Sequence, residues 1–255
     1  MTRTMISIGT ETRISLQDCY GGTHQGRVRP INEDRFLNRP DLNVWAVADG
    51  MGGHAHGDIA SSAIIQAVAE EFEATKAGVK VLQAFSNAVH SAHNRIRAIS
   101  EANGKIVMGS TVAGLLLAEG RFHIPWTGDS RVYLIRNGRI SQMTRDHTEV
   151  QMLLRENAIS EEEARNWPRK NVILHAIGVN EAPYVEAIEG DVEAGDTFVL
   201  CTDGLTAHLT DQDIQILVTG NTAQRACVEL VRVALERGGK DNVTVVVVHV
   251  PALAR

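Results

Sequence analysis

Four aspartates of this 255-residue chain lie in separate glycine-containing turns, at the ends of apolar, strand-like segments. They are Asp49 in VADGMGGH, Asp129 in TGDSR, Asp203 in CTDGL and Asp241 in GGKDNV. If the strands share one sheet core, these carboxylates come close together, where they repel each other unless cations neutralise them. Carboxylate oxygens are hard ligands that select Mg²⁺ or Mn²⁺. The pattern therefore predicts a metal-dependent enzyme.

A cation and two further carboxylates precede Asp49 in the string RPINED, which begins at Arg29 and ends with Glu33 and Asp34. Such residues suit hydrolysis of a phosphate monoester, because a pair of divalent cations offsets the phosphate charge and lowers the pKa of bound water. The planar guanidinium of Arg29 matches phosphate oxygens, since it can donate two parallel N–H bonds. The alternative role of Arg29 is an ion pair with a surface carboxylate.

His54 lies in the glycine-rich string DGMGGHAHGD, which opens a helical segment. Because histidine titrates near neutral pH, His54 is the best candidate for a general acid that protonates the leaving alkoxide. The string does not match the dinucleotide-binding pattern G-x-G-x-x-G, since Ala55 stands where the third glycine would be. We therefore expect this turn to serve metal and phosphate chemistry.

The composition limits the class of protein. Hydrophobic residues make up 44% of the chain, enough for a large core, and no linker divides it, which predicts a single domain over residues 1–255. A net charge of -6 argues against a nucleic-acid partner. The chain contains no apolar run of signal-peptide or transmembrane length, which predicts a cytoplasmic protein without a membrane partner.

The cysteines Cys19, Cys201 and Cys227 form no C-x-x-C pair, which fits a reducing compartment. A thiolate phosphatase would need an arginine six residues after its cysteine to bind the phosphate. None of the three has one. Cys201 lies inside the apolar run TFVLCT and is predicted to be a buried core thiol.

Short turn-bounded apolar runs predict strands at residues 44–48, 111–118, 121–127, 131–136, 139–143, 197–201 and 243–250. The runs between residues 121 and 143 are separated by Gly-Asp-Ser and then by Asn137-Gly138, a pair favoured in type I′ hairpins. We therefore expect these three strands to form an antiparallel meander.

Apolar residues at helical spacing predict helices at residues 58–74, 79–102, 210–218 and 222–237, the first with Asp58 as its N-cap. Two helices in succession followed by strands indicate a layered α+β fold, not alternating βαβ units. Residues 149–170 are polar and dense in charge, which fits either a solvated helix and loop or a flap that faces the substrate.

Taken in order, the strings RxxNED, DGMGGH, GST, GDSR, CTDGL and GGKDNVT resemble the metal-dependent serine/threonine protein phosphatases of type 2C in their bacterial form. The resemblance covers about residues 26–248. It implies a four-layer α-β-β-α sandwich, in which a central antiparallel β-sandwich is flanked by helix pairs. It also implies two core Mn²⁺ or Mg²⁺ ions, with a third, weaker ion, at one end of the sandwich.

The resemblance also implies roles for individual residues. Asp49 would bridge the two core ions, with the Gly50 carbonyl as a further ligand. Asp203 and Asp241 would complete the protein ligands of the first ion. Arg29 would bind the substrate phosphate.

Further roles concern the surroundings of the core ions. Glu33 and Asp34 would hold the second ion largely through waters, and Asp129 would bind the third ion with Asp203. The alternative role of Asp129 is that of an ordinary turn residue. Asn242 is expected to shape the loop that presents Asp241. The animal-type members carry an acidic histidine directly after the DG pair, whereas Met51 stands there in this chain.

The function implied is hydrolysis of phosphoserine and phosphothreonine in proteins, opposing a serine/threonine kinase, by an enzyme expected to be a monomer. Two alternatives remain open from the residues. One is a two-metal hydrolase of small phosphoesters or nucleotides, and the other is a binding module that has lost its metals. The choice between Mn²⁺ and Mg²⁺ is open as well, since both accept these ligands.

Overall fold

The structure is a computed structural model that describes residues 18–52, 56–75 and 80–251. The strands are β1 (Cys19–His24), β2 (Asp34–Arg39), β3 (Val44–Gly52), β4 (Met108–Ser110), β5 (Val112–Ala118), β6 (Arg121–Thr127), β7 (Arg131–Arg136), β8 (Arg139–Gln142), β9 (Glu186–Asp191), β10 (Thr197–Cys201) and β11 (Val243–His249). The helices are α1 (His56–Ala74), α2 (Val81–Ala102), α3 (Glu149–Arg155), α4 (Glu161–Arg165), α5 (Asp203–Thr206), α6 (Asp211–Val218) and α7 (Ala223–Glu236).

The strands form two antiparallel sheets. One has the order β1-β11-β10-β7-β8, and the other has the order β2-β3-β5-β6-β9, with β4 paired to the end of β3. The predicted hairpin at Asn137-Gly138 is confirmed, with positive φ angles of 52° and 70°. The predicted three-strand meander is wrong, because β6 and β7 belong to different sheets. The Gly-Asp-Ser turn crosses between the sheets, which a local turn signal cannot reveal.

Side chains that alternate along the strands hold the two sheets together. In β3, Trp45 and Val47 are buried between the sheets. Val44 and Ala46 lie on the opposite face, where α1 and α2 cover them. Strands of this kind are apolar on both faces because each face meets another layer.

Helix pairs cover the outer faces of both sheets. Ile64 of α1 and Phe85 of α2 pack against the sheet that contains β3. Leu230 of α7 and Ile214 of α6 pack against the sheet that contains β11. The layers therefore follow the order α-β-β-α, and the expected α+β sandwich is confirmed.

The N-terminal residues of the helices can be compared with the starts predicted from sequence. Thr210 and Thr222 cap α6 and α7, and their hydroxyl groups accept backbone N–H bonds from Asp213 and Arg225. The prediction of Asp58 as an N-cap is wrong, because α1 already begins at His56. Asp58 lies in the first turn, where its negative charge still favours the helix dipole.

The strands β1, β2, β4 and β9 have no counterpart among the predicted strand ranges. β1, β2 and β9 are edge strands of mixed composition, and β4 is only three residues long. Residues 149–170 contain α3 and α4. None of the helices in the described part of the chain is long and apolar enough to cross a membrane.

Candidate metal centre

The aspartates singled out in the sequence lie at one end of the β-sandwich. Asp34, at the beginning of β2, pairs with Asp49 near the end of β3. Asp203 follows β10, and Asp241 precedes β11, the antiparallel neighbour of β10. Asp129 lies in the turn before β7, which also pairs with β10. Antiparallel pairing places the end of one strand beside the beginning of the next, so turns of both sheets meet here.

Asp34 is fully buried and connects the two sheets. Its Oδ2 accepts hydrogen bonds from the hydroxyl groups of Thr202 (2.8 Å) and Thr244 (2.7 Å), whereas its Oδ1 has no partner among the described residues. Burial raises the pKa of Asp34 to about 7, and repulsion from Asp203 and Asp241 adds to the shift. The site thus contains a carboxylate that is held firmly but lacks a countercharge.

Asp49 lies in the middle of the cluster. Burial, followed by repulsion from Asp34 and Asp203, raises its pKa well above the ordinary value. The pKa of Asp203 is raised as well, by burial and then by repulsion from Asp241. In the absence of cations, protons reduce the charge of the cluster.

Asp129 lies in the Gly-Asp-Ser turn, where Gly128 has a positive φ of 95°. Burial raises the pKa of Asp129 to about 8, with repulsion from Asp203 as the next cause. Its Oδ1 has no partner among the described residues. The turn is braced by Arg131, which binds Asp146 through two hydrogen bonds of 2.9 and 2.7 Å.

Arg29 reaches the same cluster. Its Nη2 lies 2.5 Å from Oδ2 of Asp241, and this hydrogen bond raises the pKa of the guanidinium. About half of the Arg29 side chain remains exposed. The expected alternative, an ion pair, is present in this arrangement, but its partner is one of the candidate metal ligands. Arg29 is therefore at the position where a phosphate beside the aspartates would meet it.

Backbone and amide contacts hold the loops of the site together. The Asn242 side chain accepts from the backbone N–H of Glu33 (2.8 Å) and donates to the carbonyls of Gln25 and Ile31. Glu33 in turn accepts from the backbone N–H of Gly57 at the start of α1 (3.0 Å). One amide thereby ties the loop of Asp241 to the RPINED segment.

Gly50 lies where the backbone is tightly packed. A Cβ atom at this position would come within 2.0 Å of the Gly57 carbonyl oxygen, so no other residue fits without displacement. This close approach holds the DG turn, which contains Asp49, against the first turn of α1.

The donor set fits divalent cations. Several buried or half-buried carboxylates share one end of the sandwich, and two of their oxygens, on Asp34 and Asp129, have no partner among the described residues. Burial, followed by repulsion between carboxylates, raises the pKa values of Asp34 and Asp129. Within residues 18–52, 56–75 and 80–251, no set of three or more His, Cys, Asp or Glu side chains already surrounds one point as a finished metal site. Arg29 occupies an oxygen of Asp241 that a cation would need.

His54, the candidate general acid, lies outside the described residues. Three threonines that the sequence reasoning did not assign to the site contact its carboxylates or their backbone. Thr202 and Thr244 bind Asp34, and Thr111 accepts the backbone N–H of Asp49 at 3.0 Å. Each is part of one of the recognised strings GST, CTDGL and GGKDNVT, but a threonine hydroxyl is too common a feature to single out from sequence alone.

Comparisons with known proteins agree with this geometry. The sequence profile of the family described as protein phosphatase 2C matches residues 21–242. The serine/threonine phosphatase stp of Listeria monocytogenes serotype 4b (strain F2365) is 34% identical over 238 residues, covering 89% of this chain and 93% of that protein. The serine/threonine protein phosphatase PstP of Mycobacterium tuberculosis (strain ATCC 25618 / H37Rv) is 37% identical over 231 residues, covering 89% of this chain but 43% of that protein.

A solved structure supports the fold as well. The catalytic domain of the serine/threonine protein phosphatase PstP in complex with two manganese ions is 34% identical and has a TM-score of 0.83. The match covers 91% of this chain and 97% of that one.

Proposed function

This chain belongs to the protein phosphatase 2C family and is a metal-dependent serine/threonine protein phosphatase that uses Mn²⁺ or Mg²⁺, and we propose that the carboxylate cluster described above is its catalytic centre. The single observation that carries the proposal is the group of buried and half-buried aspartates from both sheets, whose pKa values are raised by burial and then by mutual repulsion. When bound, divalent cations lower the pKa of water toward neutrality and offset the charge of the phosphate dianion.

Within this proposal, Asp49, the Gly50 carbonyl, Asp203 and Asp241 would hold the two core ions, which would supply charge neutralisation and a water of lowered pKa. The carboxyl groups would lose their protons on binding the ions. Arg29 would exchange its contact with Asp241 for the phosphate, because its guanidinium can donate two parallel N–H bonds to phosphate oxygens and orient the substrate.

The surrounding residues have supporting roles in the same proposal. Asp34, whose Oδ1 has no partner among the described residues, and Glu33 would orient waters around the second ion, and Asp129 would hold a third ion together with Asp203. Asn242 keeps the loop of Asp241 in register with Glu33. His54 remains the predicted general acid.

The biological setting is part of the proposal too. The substrates are phosphoproteins, and the enzyme opposes a serine/threonine kinase in the cytoplasm. It acts as a monomer through a single catalytic domain over residues 1–255, with residues 149–170 as a flap.

Hydrolysis of a phosphothreonine peptide by the purified protein tests the proposal. We expect turnover with Mn²⁺, none with chelator, and a loss of at least about a hundredfold for Asp49→Asn, because the cations supply several kcal/mol of transition-state stabilisation. Asp58→Asn, which changes an exposed carboxylate paired with Arg35, serves as the matched control. Faster turnover of nucleotides than of phosphopeptides would favour the small-phosphoester alternative, and full activity of Asp49→Asn would contradict the metal assignment.

A further inference from the structure

A small hollow of about 110 Å³ lies beside the turn that carries Asp129, and no residue of the carboxylate cluster lines it. The residues that give it chemical character are Arg145, His147, Arg155, His175, Tyr184 and Glu186. It lies at the same end of the sandwich as the cluster, because Glu186 begins β9 and pairs with Trp126 near the end of β6.

The imidazole of His147 forms the floor of the hollow. His147 is 8% exposed and stacks on Trp126, with ring centroids 5.8 Å apart. Its Nδ1 accepts the backbone N–H of Gly128 at 3.1 Å. Its Nε2 is buried without a hydrogen-bond partner among the described residues, and the nearest carboxylate oxygen, on Glu186, is 3.7 Å away.

The hydrogen bonding of the two ring nitrogens determines which kind of group His147 can bind. An Nδ1 that accepts a hydrogen bond carries no proton, so in the neutral ring the proton is on Nε2. Burial also lowers the pKa of His147, which favours the neutral ring. An Nε2–H group is a donor and cannot ligate a metal ion, so the floor is suited to a hydrogen-bond acceptor.

The wall of the hollow supplies positive charge. Within residues 18–52, 56–75 and 80–251, the exposed side chains of Arg145 and Arg155 form no hydrogen bond or ion pair. Two carboxylates also line the hollow, but both have partners: Asp146 is bound by Arg131, and Glu186 accepts the Tyr184 hydroxyl at 2.6 Å. Because the guanidinium groups of Arg145 and Arg155 have no such partner, they favour binding of an anion in the hollow.

The hollow is close to the proposed catalytic centre. His147 contacts Gly128, and the covalent path from there to the Asp129 carboxylate limits the distance between Nδ1 and that carboxylate to about 11 Å. The Thr127 hydroxyl also donates to the Tyr184 carbonyl, which ties the wall to the same turn. An extended peptide advances about 3.3 Å per residue, so about three residues span this distance.

We propose that this hollow binds an anionic side chain of the peptide substrate about three residues from the phosphorylated residue that is hydrolysed. The ligand group is an oxyanion, either the carboxylate of an acidic residue or the phosphate of a second phosphorylated residue. This inference rests on the proposed function, because it assigns the substrate preference of the same catalytic centre.

A peptide series tests the proposal with the intact protein in Mn²⁺. One phosphothreonine peptide has neutral flanks; its variants carry aspartate, or a non-hydrolysable phosphonate analogue of phosphoserine, two to four residues to either side. We expect kcat/KM to rise roughly three- to tenfold at one of these positions, mainly through KM, and the gain to shrink at high salt. A gain with aspartate, with the phosphonate or with both supports the proposal and identifies the source.

Variants of the hollow complete the test. Arg145→Ala and Arg155→Ala should bring the ratio of acidic to neutral peptide toward one, whereas Glu186→Gln should increase it. Arg225→Ala removes the same charge from the exposed face of α7 and should keep the wild-type ratio.

Three results would overturn the inference. Equal kcat/KM for neutral and acidic peptides at every position would do so while leaving the proposed function intact, as would a preference that neither arginine variant changes. Hydrolysis of a small phosphate ester without hydrolysis of any phosphopeptide would instead reject the proposed function, and the inference with it.

Discussion

The two ends of strand β10 each carry an aspartate, and the two aspartates have opposite electrostatic surroundings. Asp196, just before β10, is buried, is bound by Arg136 through hydrogen bonds of 2.7 and 2.6 Å and accepts the backbone N–H of Glu193 at 2.8 Å. Asp203, just after β10, is half-buried beside other carboxylates, and burial, followed by repulsion from Asp241, raises its pKa.

The difference shows that burial of a carboxylate does not by itself indicate a metal site. At the Asp196 end, the countercharge is an arginine of the chain, so the group is structural. At the Asp203 end, more carboxylates meet than the nearby guanidinium groups of Arg29 and Arg131 can neutralise. The missing positive charge is what points to cations.

Asp203→Asn is the change with the largest expected effect on activity. We expect kcat/KM to fall at least about a hundredfold, because a ligand of the cations is lost. The stability of the metal-free protein should stay the same or increase, since repulsion within the cluster is relieved. Phosphopeptide turnover and urea denaturation with chelator measure the two effects. Wild-type turnover in the Asp203→Asn variant would show that Asp203, like Asp196, does not bind catalytic cations.

Asp196→Asn should show the reverse pattern at the other end. It leaves the partly buried Arg136 with only the more exposed Glu193 as a charged partner, so we expect the free energy of unfolding to fall by about 2–4 kcal/mol. Activity per folded molecule should not change. Urea denaturation combined with kinetics on the folded fraction checks this, and unchanged stability would show that the ion pair is not structural.

The carboxylate cluster should also make the stability of the metal-free protein depend on pH. In metal-free protein, the pKa values of about 7 for Asp34 and about 8 for Asp129 exceed the unfolded value near 4. Between these values the folded state binds more protons than the unfolded state, so stability falls as the pH rises from about 5 to 8. Melting temperatures with chelator should decrease by several degrees over this range.

Saturating Mn²⁺ provides the control for this pH experiment. Cations replace the protons on the cluster, so the decrease should vanish or reverse. A metal-free melting temperature that rises from pH 5 to pH 8 would contradict the repulsion between these carboxylates.

Arg29→Lys has the smallest expected effect. A lysine keeps the charge but lacks the planar fork that donates two parallel bonds to a phosphate, so we expect kcat/KM to fall about tenfold with little change in stability. Arg139→Lys, on an exposed arginine of β8, is the matched control. Equal kinetics of the two variants would show that Arg29 acts only as the partner of Asp241.

Much of the candidate site could be predicted from the sequence because it depends on local strings. Each of Asp49, Asp129, Asp203 and Asp241 is marked by its own glycine-containing turn, and the strands that flank them are marked by short apolar runs. Edge strands such as β1 and β9 were missed, because mixed polar composition does not separate an edge strand from a loop.

The sequence by itself determined the residue types, the Asn137-Gly138 hairpin, the helix pairs and the resemblance to a phosphatase family, since these follow from periodicity and from residues near one another in the chain. Only the tertiary structure decided that Asp34 meets Thr202 and Thr244, 168 and 210 residues away, and that the Gly-Asp-Ser turn crosses between sheets. It also decided which buried aspartate finds an arginine and which finds other aspartates. These outcomes depend on how whole layers pack, and no local pattern encodes the distance between residues far apart in the chain.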